Sequence, residues 1–259
     1  MPFCAGKADA WKSWMPMSDP LFYFLMAVVA FLYGSVGHGG GSGYLALMAL
    51  WDFSHLTMKP TALTLNLVVA GLAFFLYFRR GYFMPRLFYA LAAGSIPMAF
   101  AGGMLHPDAF WYKKLLAVFL FLAVLKLSGA FNRLPASAPH RPAWYQAVAL
   151  GAVIGLVSGF IGIGGGVLLT PVILLLRWGN IREAAAVTAL FIWVNSAAAL
   201  AGLWLGQVAF PPHLPLLVAL AALGGWLGSY WGSAILNEWR LQRVLAVVLL
   251  LAGFKLLLT

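Results

Sequence analysis

The sequence predicts an all-α integral membrane protein of two homologous half-repeats, each opening with a glycine-broken helix. Three observations lead there. Of 259 residues, 63% are hydrophobic and only 8% charged, against roughly half apolar and a quarter charged in a soluble domain. Apolar runs long enough to span about 30 Å of hydrocarbon follow one another along the chain. A glycine-rich octet occurs twice, each time within the longest apolar run of its half.

Residues 1–20 form an N-terminal tail carrying Lys7, Trp11, Lys12 and Trp14. The run that follows is too long for the apolar region of a signal peptide, about 7–15 residues, so it is expected to stay as a membrane element with the tryptophans at the interface. Uncharged runs then cover Leu21–Trp51, Thr61–Phe78, Leu87–Leu105, Trp144–Leu176, Ala184–Phe210 and Leu214–Leu236. Leu115–Phe131 and Val244–Leu258 each hold one lysine, Lys126 and Lys255, close enough to the end of the run to snorkel to the interface. Barrel strands would instead alternate in segments of about 10 residues, so the spans are helices.

The net charge of +10 does not point to nucleic acid. The cations fall mainly in short connections: Lys59, Arg79, Arg80, Arg86, Lys113, Lys114, Arg133, Arg141, Arg177, Arg182, Arg240 and Arg243. This is the pattern of loops anchored at lipid headgroups. Cys4 is the single cysteine, which excludes an intramolecular disulfide and a cysteine-clustered metal site.

Placing Gly34–Gly41 (GSVGHGGG) over Gly159–Gly166 (GFIGIGGG) matches every glycine of the octet at one offset, and the same offset sets Gly81 over Gly206. With small gaps, Leu122–Lys126 aligns with Leu251–Lys255. The expected organisation is a first transmembrane repeat at 21–131, a basic proline-containing linker at 132–143 and a second repeat at 144–259. Each opening run, about 31 residues or more, would make a helix of about 46 Å, longer than the hydrocarbon layer. A glycine inside a helix costs about 1 kcal/mol relative to alanine, so the clusters predict loss of helix at membrane depth. Broken segments must face protein or a water-filled cavity, and helices restarting near Ser42 and Val167 would aim N–H groups and partial positive charge inward, an arrangement suited to an anion. The alternative is that the glycines only permit close helix packing.

The octets, together with Ser42-Gly43 after the first and Val167–Pro171 after the second, resemble the sulfite exporter TauE/SafE family. The resemblance runs from Leu21 to Leu258 and extends to the helix opening at Arg182–Thr188 and to the glycine-rich Gly224–Gly228. It implies a membrane permease for sulfur-containing anions such as sulfite, thiosulfate and organosulfonates, located in the cell membrane, in bacteria the inner one.

The candidate site consists of Gly37, His38, Gly39, Gly40, Gly41, Ser42 and Asn66 in the first half and Gly162, Gly164, Gly165, Gly166, Thr188, Asn195 and Ser196 in the second. His38 is an ionisable group at membrane depth, suited to binding solute or carrying a proton; the alternative is a neutral imidazole paired with a freed carbonyl. Asn66, Asn195 and Ser196 sit in long apolar runs, either lining a cavity or bonding between helices, and Thr188 shares a helix face with Asn195. Asp9, Asp19, Asp52, Asp108, Glu183 and Glu238 all fall in tails or connections, and His55, His106, His140 and His213 lack metal-ligand spacing. With no P-loop and no nucleophile constellation, neither an enzyme nor a cofactor is expected.

If each broken run crosses once, the halves are parallel. If it doubles back, the halves are inverted, both termini lie outside, and Arg79, Arg80, Arg86, Arg133, Arg141, Arg177, Arg182, Arg240 and Arg243 gather on one side, the arrangement favoured by charge bias. The expected partners are a small anionic solute and membrane lipid; no feature of the sequence sets an oligomeric state. The alternative function is a non-transporting membrane assembly or interaction protein.

Overall fold

A computed structural model describes residues 19–105, 108–127, 142–206 and 208–232, with Leu250, Phe254 and Leu257. The N-terminal tail before Asp19, nearly all of the 132–143 linker and most of the last apolar run lie outside the described residues. The described residues are helical and contain no strand. In order the helices are α1 (Pro20–Ser35), α2 (Gly41–Leu50), α3 (His55–Arg79), α4 (Pro85–Met104), α5 (Ala109–Leu127), α6 (Trp144–Ile161), α7 (Gly166–Leu175), α8 (Ile181–Leu203) and α9 (Leu214–Gly232).

Each opening run is two helices. The first doubles back. Asp19 caps α1 through Leu21 N–H, and its second carboxylate oxygen accepts from Trp51 Nε1 at 2.9 Å, just past the end of α2. Phe22 stacks on Phe53 with centroids 5.2 Å apart. At the other end of the hairpin Tyr33 Oη and Ser42 Oγ share a hydrogen bond of 2.6 Å. The start of α1 therefore meets the end of α2, which rules out a single crossing.

Glycine registers give the directions of the other helices. Gly151, Gly155 and Gly159 of α6 face Leu91, Ser95 and Ala99 of α4 in ascending order, so these two helices run parallel. Gly224, Gly228 and Gly232 of α9 face Ala27, Phe31 and Ser35 of α1 in the same way. At the centre α3 and α8 are antiparallel: Leu63 packs with Ala199 and Leu203, Gly71 lies against Trp193, and Tyr77 clusters with Ala185 and Ala186. Since α3 leaves from the end of the first hairpin it follows the direction of α1, α4 returns, and α6, parallel to α4, opposes α1. As α8 also opposes α3, it runs with α6, and the intervening α7 must return to the side from which α6 set out. The two broken segments thus enter from opposite faces of the molecule.

Small residues make the paired contacts possible. A β-carbon on Gly151, Gly155 or Gly159 would come within 2.1–2.3 Å of a carbonyl oxygen of α4, and one on Gly224, Gly228 or Gly232 within 2.0–2.3 Å of a carbonyl of α1. This is the close backbone approach that membrane helices use when lipid removes the hydrophobic drive to associate. The outer surface is apolar, with Phe24, Phe75, Val153, Leu223 and Trp226 exposed, and carries aromatics near helix ends at Trp144, Tyr145, Trp204, Tyr230 and Trp231. Five of the helices are long and apolar enough to cross a membrane: α3, α4, α6, α8 and α9. The chain is an integral membrane protein.

Gly155→Ala would set a methyl 2.3 Å from Ser95 O, and a loss of at least 1–3 kcal/mol, roughly the range for overpacking, is expected. Gly81→Ala meets nothing within 4 Å and bears only the strain of its positive φ of 77°, about 1–2 kcal/mol. Thermal unfolding of the two purified variants in one detergent should rank Gly155→Ala as the less stable.

Candidate functional site at the two helix breaks

The octets fold as breaks for a backbone reason. Gly37, Gly40, Gly162, Gly164 and Gly165 all have positive φ, between 73° and 95°, a region that L side chains enter only at a steric penalty. These glycines turn the chain, while helix packing is carried by a different set. The helices that follow begin at Gly41 and Gly166, one residue before the expected starts. At 10 residues each they reach about 15 Å, half the hydrocarbon thickness. Their N-caps, Gly40 and Gly165, supply no side-chain hydrogen bond to the first N–H groups.

The two N-termini converge. A β-carbon on Gly41 would stand 2.7 Å from Ile163 O of the other break and 2.6 Å from Asn66 Nδ2; one on Gly39 would stand 2.7 Å from Asn66 Oδ1, and one on Gly164 2.8 Å from Asn66 Nδ2. Asn66, from the middle of α3, is therefore held between both breaks. It is 0% exposed, and neither its Oδ1 nor its Nδ2 has a hydrogen-bond partner. From α8, Ser196 Oγ would lie 3.1 Å from a β-carbon on Gly164 and is likewise buried and unpartnered. Tyr44 adds a third unpaired group, its hydroxyl packed over Gly40. Native proteins leave few such groups, each carrying a desolvation penalty of about 1–3 kcal/mol.

A second polar group joins the breaks toward the α8 N-terminus. His38 Nδ1 meets Val36 O at 2.9 Å, and Nε2 meets Thr170 Oγ1 at 3.1 Å. Thr170 Oγ1 is in turn 3.0 Å from Thr188 Oγ1. With Nδ1–H donating to the carbonyl, Nε2 accepts from Thr170, which accepts from Thr188. The first break is thereby tied to α7 and α8. Gly37 packs on Ala185 and Tyr77, and Gly166 on Ile192 and Thr188.

The structure brings Gly39, Gly41, Asn66, Gly164 and Ser196 to one point and His38 and Thr188 to another, with Gly37 and Gly166 beside the second. Gly165 instead packs on Phe191, Ile154 and Ser158, Gly162 on Lys59, and Ser42 bonds Tyr33. Asn195 turns back on its own helix, Nδ2 donating to Phe191 O at 2.8 Å with Oδ1 left unpaired. The α8 face at the breaks is Thr188, Ile192 and Ser196, four residues apart, and it does not include Asn195.

Two expectations are corrected. Lys59 is not a headgroup anchor in a connection: it lies in the first turns of α3, 5% exposed, with Nζ donating to the carbonyls of Gly102 at 3.3 Å and of Gly103 and Leu105 at 3.2 Å. Its aliphatic stem fits against Gly162, and the α4 C-terminus supplies the negative end of a helix dipole. Glu183 is in the first turn of α8, where its carboxylate accepts from Asn180 N–H at 2.8 Å. Thr170, absent from the sequence candidates, is the link between His38 and α8; it carried no signal beyond being a hydroxyl in an apolar run.

Among the described residues no group of three or more His, Cys, Asp or Glu could hold a metal ion. Residues 22–256 match the family model described as Sulfite exporter TauE/SafE. A relative from Sinorhizobium fredii, described as probable membrane transporter protein y4hK, is 39% identical over 233 residues, covering 89% of this chain and 94% of its own. Probable membrane transporter protein YunE of Bacillus subtilis is 31% identical over 122 residues, 44% of this chain and 42% of its own. No solved structure matches the chain significantly. With the match covering nearly every residue from the start of α1 onward, the chain belongs to the TauE/SafE sulfite exporter family.

Proposed function

We propose that this protein is a permease of the cell membrane, in bacteria the inner membrane, that moves a small anion by a secondary or channel-like mechanism. The anion is a sulfur oxyanion or organosulfonate, and it binds where the N-termini of α2 and α7 converge on Asn66. The observation that carries this reading is Asn66 itself: an amide fully buried, unpaired at both atoms, and held between two uncapped helix N-termini. A helix start leaves N–H groups without intrahelical partners, and two such starts, each with a partial positive charge of about half a unit, offer what an oxyanion needs without a formal cation. Asn66 Nδ2 and the Ser196 hydroxyl add donors, and Asn66 Oδ1 can accept from a protonated oxyanion or an accompanying water.

The scaffold fits transport. Opposed broken segments meeting near mid-membrane, flanked by antiparallel α3 and α8, match the plan of transporters built from inverted repeats. The exchanged pairings, α4 with α6 and α1 with α9, support the duplication of 21–131 and 144–259. The glycines of both breaks close directly on the Asn66 amide, so a solute reaches it when the halves part. Gly37, Gly40, Gly162 and Gly165 shape the turns, Ser42 and Thr188 fasten the helix starts, and His38 couples the first break to α7 and α8. Membrane lipid covers the exposed apolar faces. The relatives' description as probable transporters supports the same reading.

Apparent thermal stability of the detergent-purified protein is expected to rise selectively with sulfite, thiosulfate or a sulfonate over chloride, by about 2.7 kcal/mol at 100 times Kd. Asn66→Ala should abolish that rise while changing ligand-free stability by less than about 1 kcal/mol, because the amide it removes makes no hydrogen bond. Absence of a shift with every anion tested would favour the non-transporting membrane partner.

A further inference from the structure

Lys59 is a cation buried against the second break, and among the described residues its bonds include no ion pair. Its three ammonium donors are met by three main-chain carbonyls at 3.2–3.3 Å, longer than the roughly 2.7–2.9 Å of a firm charge-assisted bond. A buried ammonium held only by neutral, long contacts can exchange one of them for an anion at a gain in charge compensation. Its position is specific. Lys59 and Asn66 are seven residues apart on α3, two turns along one face, and so about 10.5 Å apart in rise. Its stem lies on Gly162, and Gly164 of the same break lies on Asn66. One edge of the second break therefore runs from the ammonium to the unpaired amide.

On α8 the equivalent spacing holds Thr188 and Asn195, and there the end of the path carries the neutral hydroxyls of Thr170 and Thr188 with the His38 imidazole. Because α3 and α8 are antiparallel, Lys59 and Thr188 stand toward opposite ends, and among the described residues a buried Lys or Arg stands only at the Lys59 end.

We propose that Lys59 is an anion-recruiting residue: a solute entering from the α3 N-terminal side first displaces a carbonyl of Gly102, Gly103 or Leu105 from the ammonium, then passes along Gly162 to Asn66. This rests on the permease reading above. Lys59→Gln keeps N–H donors for the carbonyls and loses the charge; Lys59→Arg keeps both. In proteoliposomes sorted by orientation, with uptake of radiolabelled sulfite and thiosulfate measured against concentration, Lys59→Gln should raise the half-saturating concentration about tenfold or more from one face, the size expected of losing one hydrogen bond to a charged group. Lys59→Arg should stay near wild type, and the opposite face should change much less. Equal half-saturation in Lys59→Gln and wild type, with only a lowered unfolding temperature, would reduce Lys59 to a cap on α4 and overturn the proposal. If the wild type moves neither of these anions nor a sulfonate, the permease reading falls first and the proposal with it. Should Lys59→Gln fail to fold, amine labelling of Lys59 in the wild type decides: slowing by thiosulfate supports recruitment, and an unchanged rate contradicts it.

Discussion

In hydrocarbon an unpaired peptide group has no water to turn to, and everything distinctive in this fold follows from containing two stretches of such backbone. Val36–Gly40 and Gly162–Gly165 interrupt the helices in the interior of the bundle. Lipid cannot border them, so they are placed against each other, Gly41 beside the carbonyl of Ile163, with α3 and α8 closing the sides. That burial is feasible only because the contact atoms are glycines. A β-carbon at any of several positions would fall within 3 Å of the facing break or of Asn66.

Close approach of the outer helices serves the same end. If α6 stood off from α4, or α9 from α1, by the extra thickness of a row of leucines, the two hairpins could not reach a common centre. The ascending glycine registers at Gly151–Gly159 and Gly224–Gly232 hold backbone against backbone instead. Packing and function thus use glycine for different physical reasons: helical glycines remove bulk, and the break glycines adopt a left-handed conformation. Both kinds occur within a few residues, Gly159 being of the first and Gly162 of the second.

This mixture explains how much was legible in the sequence. Fold class and the positions of the spans followed from apolar runs, and the breaks from glycine density; Asn66 stood out as an amide in an apolar run. Doubling back was favoured by the bias of loop arginines, but the contact that closes the first hairpin, Asp19 on Trp51 32 residues away, was not legible. Lys59 was misread because one cation near the start of an apolar run looks like an interface anchor, and the carbonyls that hold it lie 43–46 residues further on. Asn195 and Ser196 are adjacent, so only the rotation of α8 about its axis decides which faces Gly164. Thr170 bonds a histidine 132 residues distant; no local pattern encodes that.

If the solute sits at the meeting of the α2 and α7 N-termini beside Asn66, a bound ligand can be located there. Selenite is isosteric with sulfite and scatters anomalously, so crystals of the full chain grown with it can place the selenium. A peak is expected within hydrogen-bonding reach of Asn66 Nδ2 and the N–H groups at the starts of α2 and α7, with Gly39 and Gly164 drawn apart to admit it. Selenium ordered elsewhere, or none at a concentration that saturates transport, would contradict it.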